Sequence, residues 1–127
     1  MENAVVIDAC VFIKHWRSKN KAETLLTKLI QQQRDLYVSA VAKYEVLVGA
    51  DAKDMSGWYY LFDGITVLAF DDTTIETARS ISLQLKQENK MIDVIDILIA
   101  STAIVNDLPL ATLNRNHFER VRGLRLV

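Results

Sequence analysis

Four acidic residues stand where apolar runs begin or end, and that placement carries chemistry. Asp8 closes the run Ala4-Val5-Val6-Ile7, and Glu45 lies inside the apolar stretch from Val41 to Val48. Asp93 and Asp96 open the run from Met91 to Ala100. A carboxylate beside a hydrophobic core meets a desolvation cost of several kcal/mol unless something pairs with it. No lysine or arginine lies within four residues of Asp8, and Lys43 is too near Glu45 in sequence to face it on a helix. Asp93 and Asp96 are three apart, so on a helix they share a face and repel one another. If the fold gathers these groups, a divalent cation is their natural partner, and a metal-dependent hydrolase is the expected activity.

Each acid also has an ordinary explanation taken singly. Asp93 could decorate a helix N-terminus, where the dipole favours negative charge, and Asp8 could serve a turn or cap. Asp96, followed by Ile97-Leu98-Ile99-Ala100, is expected to point toward the apolar interior, and Glu45 is ringed by apolar neighbours. One Mg²⁺ or Mn²⁺ site accounts for all of them together. Hard cations take oxygen ligands, and Mg²⁺ keeps several waters while binding only one or two carboxylates directly. Two such ions would suit in-line displacement at phosphorus. His15 and His117 lack any cysteine partner at zinc-site spacing. Trp16, Trp58, Tyr59 and Tyr60 are expected in the core or at an interface rather than as stacking platforms for bases.

The elements that must position these acids follow from periodicity. Val5–Ile7 reads as a buried strand, followed by a helix over Val11–Trp16. Lys21–Gln33 carries Ala22, Leu25, Leu26, Leu29 and Ile30 at helical spacing. Leu36–Val38 is expected as a strand, with Ser39 capping a helix that runs to about Val48 and ends at Gly49. A helix over Lys53–Phe62 and a buried strand over Ile65–Phe70 come next. Asp72 or Thr73 is expected to cap a long helix burying Ile75, Ala78, Ile81, Ser82 and Leu85. Asp93–Val105 is apolar on most sides and is expected to be a central helix. Leu110–Thr112 and Leu124–Val127 complete the strands. Alternation of strands and helices predicts an α/β fold, a mainly parallel sheet covered on both faces, with ligands beyond the carboxyl ends of the strands. Asp8, Thr112 and Asn114 fall at that edge.

The chain's 127 residues fit one domain over 1–127, and half of them are hydrophobic. One cysteine, Cys10, excludes an internal disulfide and fits a reducing cytoplasm. Signal-peptide marks are missing from the amino terminus, and no apolar run nears the ~18 residues of a membrane span, so a cytoplasmic location without membrane contact is expected. The net charge of −1 does not point to nucleic acid, yet residues 115–125 hold four arginines and a histidine against one acid. Arg115 and Arg120 flank the expected site and are candidates for gripping a phosphate.

Four stretches, in order, resemble the PIN-domain ribonucleases, and in particular the single-domain VapC-type toxins of prokaryotic toxin–antitoxin pairs. They are Val6-Ile7-Asp8-Ala9-Cys10-Val11-Phe12-Ile13, then Val38-Ser39 through Glu45 to Gly49. The third runs from Asp93-Val94-Ile95-Asp96 to Ala103, and the last from Leu110-Ala111-Thr112-Leu113-Asn114 to Arg120, with Gly123-Leu124 after it. The resemblance implies a three-layer α/β/α fold. It gives Asp8, Glu45 and Asp96 the three main acidic positions, with Asp93 in support one helical turn earlier. Asp8 and Asp96 would hold Mg²⁺ or Mn²⁺, Glu45 would orient or deprotonate the attacking water, and Asn114 and Thr112 would support that shell. An RNA substrate, a cognate antitoxin and a homodimer are implied with it. Four positions depart from the pattern. Ala9 and Cys10 replace Thr and then Asn or Ser, so a hydrogen bond from that position is expected to weaken. His117 stands where many relatives have a carboxylate, and Asn114 where others have Asp, which favours one-metal chemistry and lower activity. Two other readings stay open: a catalytically inactive PIN-like binding module, and a phosphoryl-transfer enzyme with Asp8 as covalent nucleophile. The latter lacks a second aspartate two residues on, where Cys10 stands.

Overall fold

β-Branched residues stiffen an extended chain and pack well on a pleated surface. Ala4–Ile7 follows that rule as β1, buried along its whole length. The computed structural model describes residues 3–127. β1 lies inside a four-stranded parallel sheet ordered β3-β2-β1-β4, where β2 is Asp35–Ser39, β3 is Thr66–Leu68 and β4 is Leu110–Ala111. Helices cover both faces in the expected three-layer α/β/α arrangement. Parallel strands need right-handed crossovers. The steps from β1 to β2 to β3 therefore keep α1 (Ala9–Arg17), α2 (Leu25–Gln31), α3 (Ala40–Val48) and α4 (Met55–Asp63) on one face. The return from β3 past β1 to β4 puts α5 (Asp72–Gln87) and α6 (Val94–Val105) on the other. The strand order thus reverses between β1 and β4, the position where open α/β sheets bind ligands.

Several expected boundaries move, each for a local reason. Lys21–Gln33 is not one helix: a 3₁₀ turn at Lys21–Glu23 precedes Thr24, whose hydroxyl accepts from Thr27 N at 3.3 Å and restarts the chain as α2. Leu26 and Leu29 are buried, whereas Ala22 and Ile30, expected inward, are exposed. Lys53–Phe62 likewise divides into a 3₁₀ turn at Ala52–Asp54 and α4. Ile65–Phe70 yields only the three residues of β3, which is an edge strand, so Val67 is exposed instead of buried. The cap of α5 is Asp71, one residue early, accepting from Thr74 N and Thr74 Oγ1. Thr74, rather than Ile75, joins Ala78, Ile81 and Leu85 on the buried face. Leu124–Val127 contributes a single parallel bridge, Leu110 to Leu126, rather than a strand. Among the described residues no helix is long and apolar enough to cross a membrane.

The core under α1–α4 is aromatic. Trp16 stacks on Trp58 with centroids 4.3 Å apart, and Phe12 meets Phe62 at 5.0 Å. Gly57 makes the first contact possible, because a Cβ there would sit 2.5 Å from Trp16 Cη2. Trp58 is buried as expected, but Tyr59 and Tyr60 face solvent.

Candidate active site

Register builds the first part of the site. Ile7 pairs with Ala111, so the next residues along, Asp8 and Thr112, lie side by side past the carboxyl ends of β1 and β4. Asp8 N donates to Ala111 O at 3.0 Å, and Thr112 Oγ1 donates to Asp8 Oδ2 at 2.7 Å. Cys10 Sγ donates to the same oxygen at 3.1 Å and accepts from Leu113 N. Asp8 is 4% exposed, and these donors fix the carboxylate through Oδ2 alone, leaving Oδ1 for another partner. Burial and the neighbouring charge of Asp8 push the Cys10 thiol up to about 11, so it stays protonated and remains a donor at neutral pH. The expected loss at Cys10 is therefore only a weakening, since sulfur keeps the bond that a hydroxyl would make more strongly.

Packing of α3 against α6 brings in the rest. Ser39 Oγ accepts from Ala42 N at 2.9 Å and starts α3 directly off the end of β2, which sets Glu45 over the same sheet edge. Asp93 occupies the N-cap of α6 without capping it through its side chain, and Asp96 lies in the first turn. Asp93 is solvent-exposed. The Asp96 side chain is only 16% exposed, whereas the Tyr44 and Val48 neighbours of Glu45 are exposed rather than shielding it.

Charge shows that the acids converge. The Glu45 carboxyl is held above its ordinary value by burial, then by the charges of Asp8, Asp96 and Asp93. Asp96 is also raised, chiefly by burial and further by Asp8 and Asp93, against a lowering bond from His117. The charges of Asp8, Asp93 and Asp96 thus reach Glu45 from two other stretches of chain, at an electrostatic cost.

His117 sits at the rim, its Nδ1 3.3 Å from Asp96 Oδ2 and 2.8 Å from the side-chain amide of Asn114. With Asp96 ionised, Nδ1 must carry the hydrogen, and the Asn114 amide must then turn its oxygen toward the ring. Asn114 N is itself held by Thr112 Oγ1 at 2.9 Å. A chain of bonds therefore runs from Asp8 through Thr112 and Asn114 to His117 and Asp96. The histidine link had one signal in the sequence: His117 lies three residues after Asn114, one turn along the short helix α7 (Arg115–Phe118).

The two arginines expected to meet RNA have protein partners. Arg115 Nη1 donates to Val127 O at 2.8 Å, and Arg120 Nη1 to Met91 O at 3.2 Å.

Residues 5–124 match the PIN-domain family. The chain is a PIN domain. It is 26% identical over 113 residues to ribonuclease VapC19 of Mycobacterium tuberculosis, covering 89% of this chain and 90% of that protein. Its fold matches that in the structure of VapBC-1 from nontypeable Haemophilus influenzae with a TM-score of 0.83 and 18% identity, covering 98% of this chain and 96% of that one. VapBC-5 of Mycobacterium tuberculosis, a member of the VapBC family of toxin–antitoxin systems, gives 0.70 and 19% over 98% and 99% of the two chains.

The donor set of this PIN domain fits a hard divalent cation. Its acidic side chains offer carboxylate oxygens, the one nearby sulfur is a protonated thiol, and Asp8 Oδ1 lacks a protein donor among the described residues. No three His, Cys, Asp or Glu side chains among the described residues close into a cage.

Proposed function

We propose that this PIN domain is a Mg²⁺- or Mn²⁺-dependent endoribonuclease and the toxin of a toxin–antitoxin pair. The observation that carries this reading is the buried Asp8, held through Oδ2 with Oδ1 unpartnered among the described residues, beside Glu45 and Asp96, whose carboxyls are raised chiefly by burial and further by the charges of Asp8 and Asp93. Membership of the family, and relatives named as ribonucleases and as toxin–antitoxin members, supply the substrate and the partner.

Asp8 and Asp96 would hold the ion, which when bound lowers the pKa of water and offsets charge on the phosphodiester. Thr112 and Cys10 fix the orientation of Asp8 before substrate arrives. His117, steadied by Asn114, does the same for Asp96. Glu45 accepts the proton of the attacking water, a role favoured by a carboxyl raised toward neutrality. Asp93 adds negative charge at the mouth, strengthening attraction for the cation. The protein acts in the cytoplasm as a homodimer, and the antitoxin restrains it by covering this acidic cleft.

Purified protein incubated with total cellular RNA and Mn²⁺ should cut it, and Asp8→Asn and Asp96→Asn should each lower the rate at least about a hundredfold, on the scale of losing one preorganised electrostatic group. Cleavage that persists in both variants, or that survives EDTA, rules the reading out.

A further inference from the structure

Basic residues concentrate where the sequence reading did not look. In the arginine-rich tail, Arg115 and Arg120 bond backbone carbonyls, Arg122 pairs with Glu88 at 2.6 Å and Arg125 with Asp107 at 3.2 Å. All four are engaged in holding the fold. Residues 14–28 instead carry Lys14, Arg17, Lys19, Lys21 and Lys28 against Glu23 alone, a local net charge of +4 in a chain of −1. Lys21 is committed to the carbonyls of His15, Trp16 and Ser18 at the end of α1. Lys14 and Lys28 are exposed, and neither makes a side-chain hydrogen bond or ion pair among the described residues.

Those two lysines line one hollow of about 340 Å³ with Ser18, Asn20, Leu25 and Leu113, and Glu23 and Thr24 also border it. The hollow adjoins the acidic site. Leu113, half exposed at its edge, donates its backbone N–H to Cys10 Sγ, which in turn bonds Asp8. Lys14 follows Cys10 by four residues on α1, so the two share a helix face. A strand whose scissile phosphate lies at Asp8 therefore meets free cations and an amide donor one helical turn away.

We infer that Lys14 and Lys28 bind the backbone phosphates of a single-stranded RNA as it leaves the cleaved bond, with the side-chain amide of Asn20 adding a neutral donor. The inference rests on the ribonuclease reading and names how that site holds its substrate. Such contacts are independent of sequence and serve register rather than base choice. They also answer an electrostatic difficulty, because a polyanion approaching four carboxylates needs a cationic surface close by. Glu23 opposes them from the same rim.

The test measures binding of a fluorescein-labelled single-stranded oligoribonucleotide by Asp96→Asn protein from 50 to 200 mM salt, and KM and kcat in the otherwise native chain. Loss of two phosphate contacts should flatten the slope of log K against log salt by about 1.4, so the parent should lose about sevenfold more affinity than Lys14→Gln/Lys28→Gln across that range. KM should rise severalfold in the double variant while kcat holds, the pattern for lost uniform binding. Lys14→Arg/Lys28→Arg should restore the slope, Glu23→Gln should tighten binding, and Lys86→Gln on α5 should change nothing. Native protein that cuts RNA while the double variant keeps parental slope and KM overturns this inference and leaves the ribonuclease reading standing. Native protein that neither cuts nor binds any RNA overturns both.

Discussion

At the residue scale, the proposed ion site would trade apo stability against ion affinity. Glu45 and Asp96 have folded-state values above their unfolded ones, so the native state binds more protons than the unfolded state in that interval. Stability should therefore fall as pH rises from the ordinary carboxylate range through the raised values, and stay low above it. Asp96→Asn removes one of the repelling charges but keeps an acceptor for His117. Thermal melts of metal-free protein at neutral pH should show the variant as stable as the native chain or more so, with a flatter pH dependence. A large loss would mean that Asp96 serves as a structural hydrogen-bonding group. The four acids were legible in the sequence because carboxylates beside apolar runs demand a partner. The tie between His117 and Asp96 was not, because it joins residues 21 apart through a tertiary contact. Cys10 was read as a weak point, yet its raised value keeps it a donor. Cys10→Ser should preserve or improve cleavage, whereas Cys10→Ala should lower it, and initial rates with Mn²⁺ decide between these outcomes.

At the element scale, periodicity located β1–β4 and α1–α6 but gave no α7, added a strand at Leu124–Val127, and misjudged where local capping breaks a helix. Thr24 divided one expected helix because its side chain caps α2 and also bonds His15 Nδ1 at 2.7 Å, a contact invisible to helical spacing. β3 was read as buried from its composition, and edge position is a property of topology that composition does not carry. Gly57 illustrates the same limit. A glycine inside α4 costs roughly 1 kcal/mol of helix propensity relative to alanine, but here the indole of Trp16 lies against it. Gly57→Ala should therefore destabilise despite better propensity, by about 1–3 kcal/mol, the range for overpacking a core. Urea unfolding would show the sign, and a stabilised variant would mean that Trp16 moves aside freely.

At the scale of the whole molecule, the sheet's reversal between β1 and β4 sets the site, and α3 packed on α6 completes it. Tyr44 and Val48 on α3, with Met91, Val94 and Ile95 around the start of α6, leave apolar side chains exposed beside Glu45 and Asp93. That surface is where the proposed homodimer should form. Light scattering should give twice the 14.4 kDa chain mass, and Tyr44→Lys with Val94→Glu should halve it. The fold class was readable from the alternation of elements, whereas the cationic face of residues 14–28 became visible only once the tail arginines were seen to be engaged. The central claim is that acids from separate elements make one ion site, and calorimetric titration with Mn²⁺ addresses it most directly. The native chain should bind Mn²⁺, and Asp8→Asn and Asp96→Asn should each abolish that binding although they lie on different elements. Binding that is missing from the native chain, or unchanged in either variant, would contradict the account.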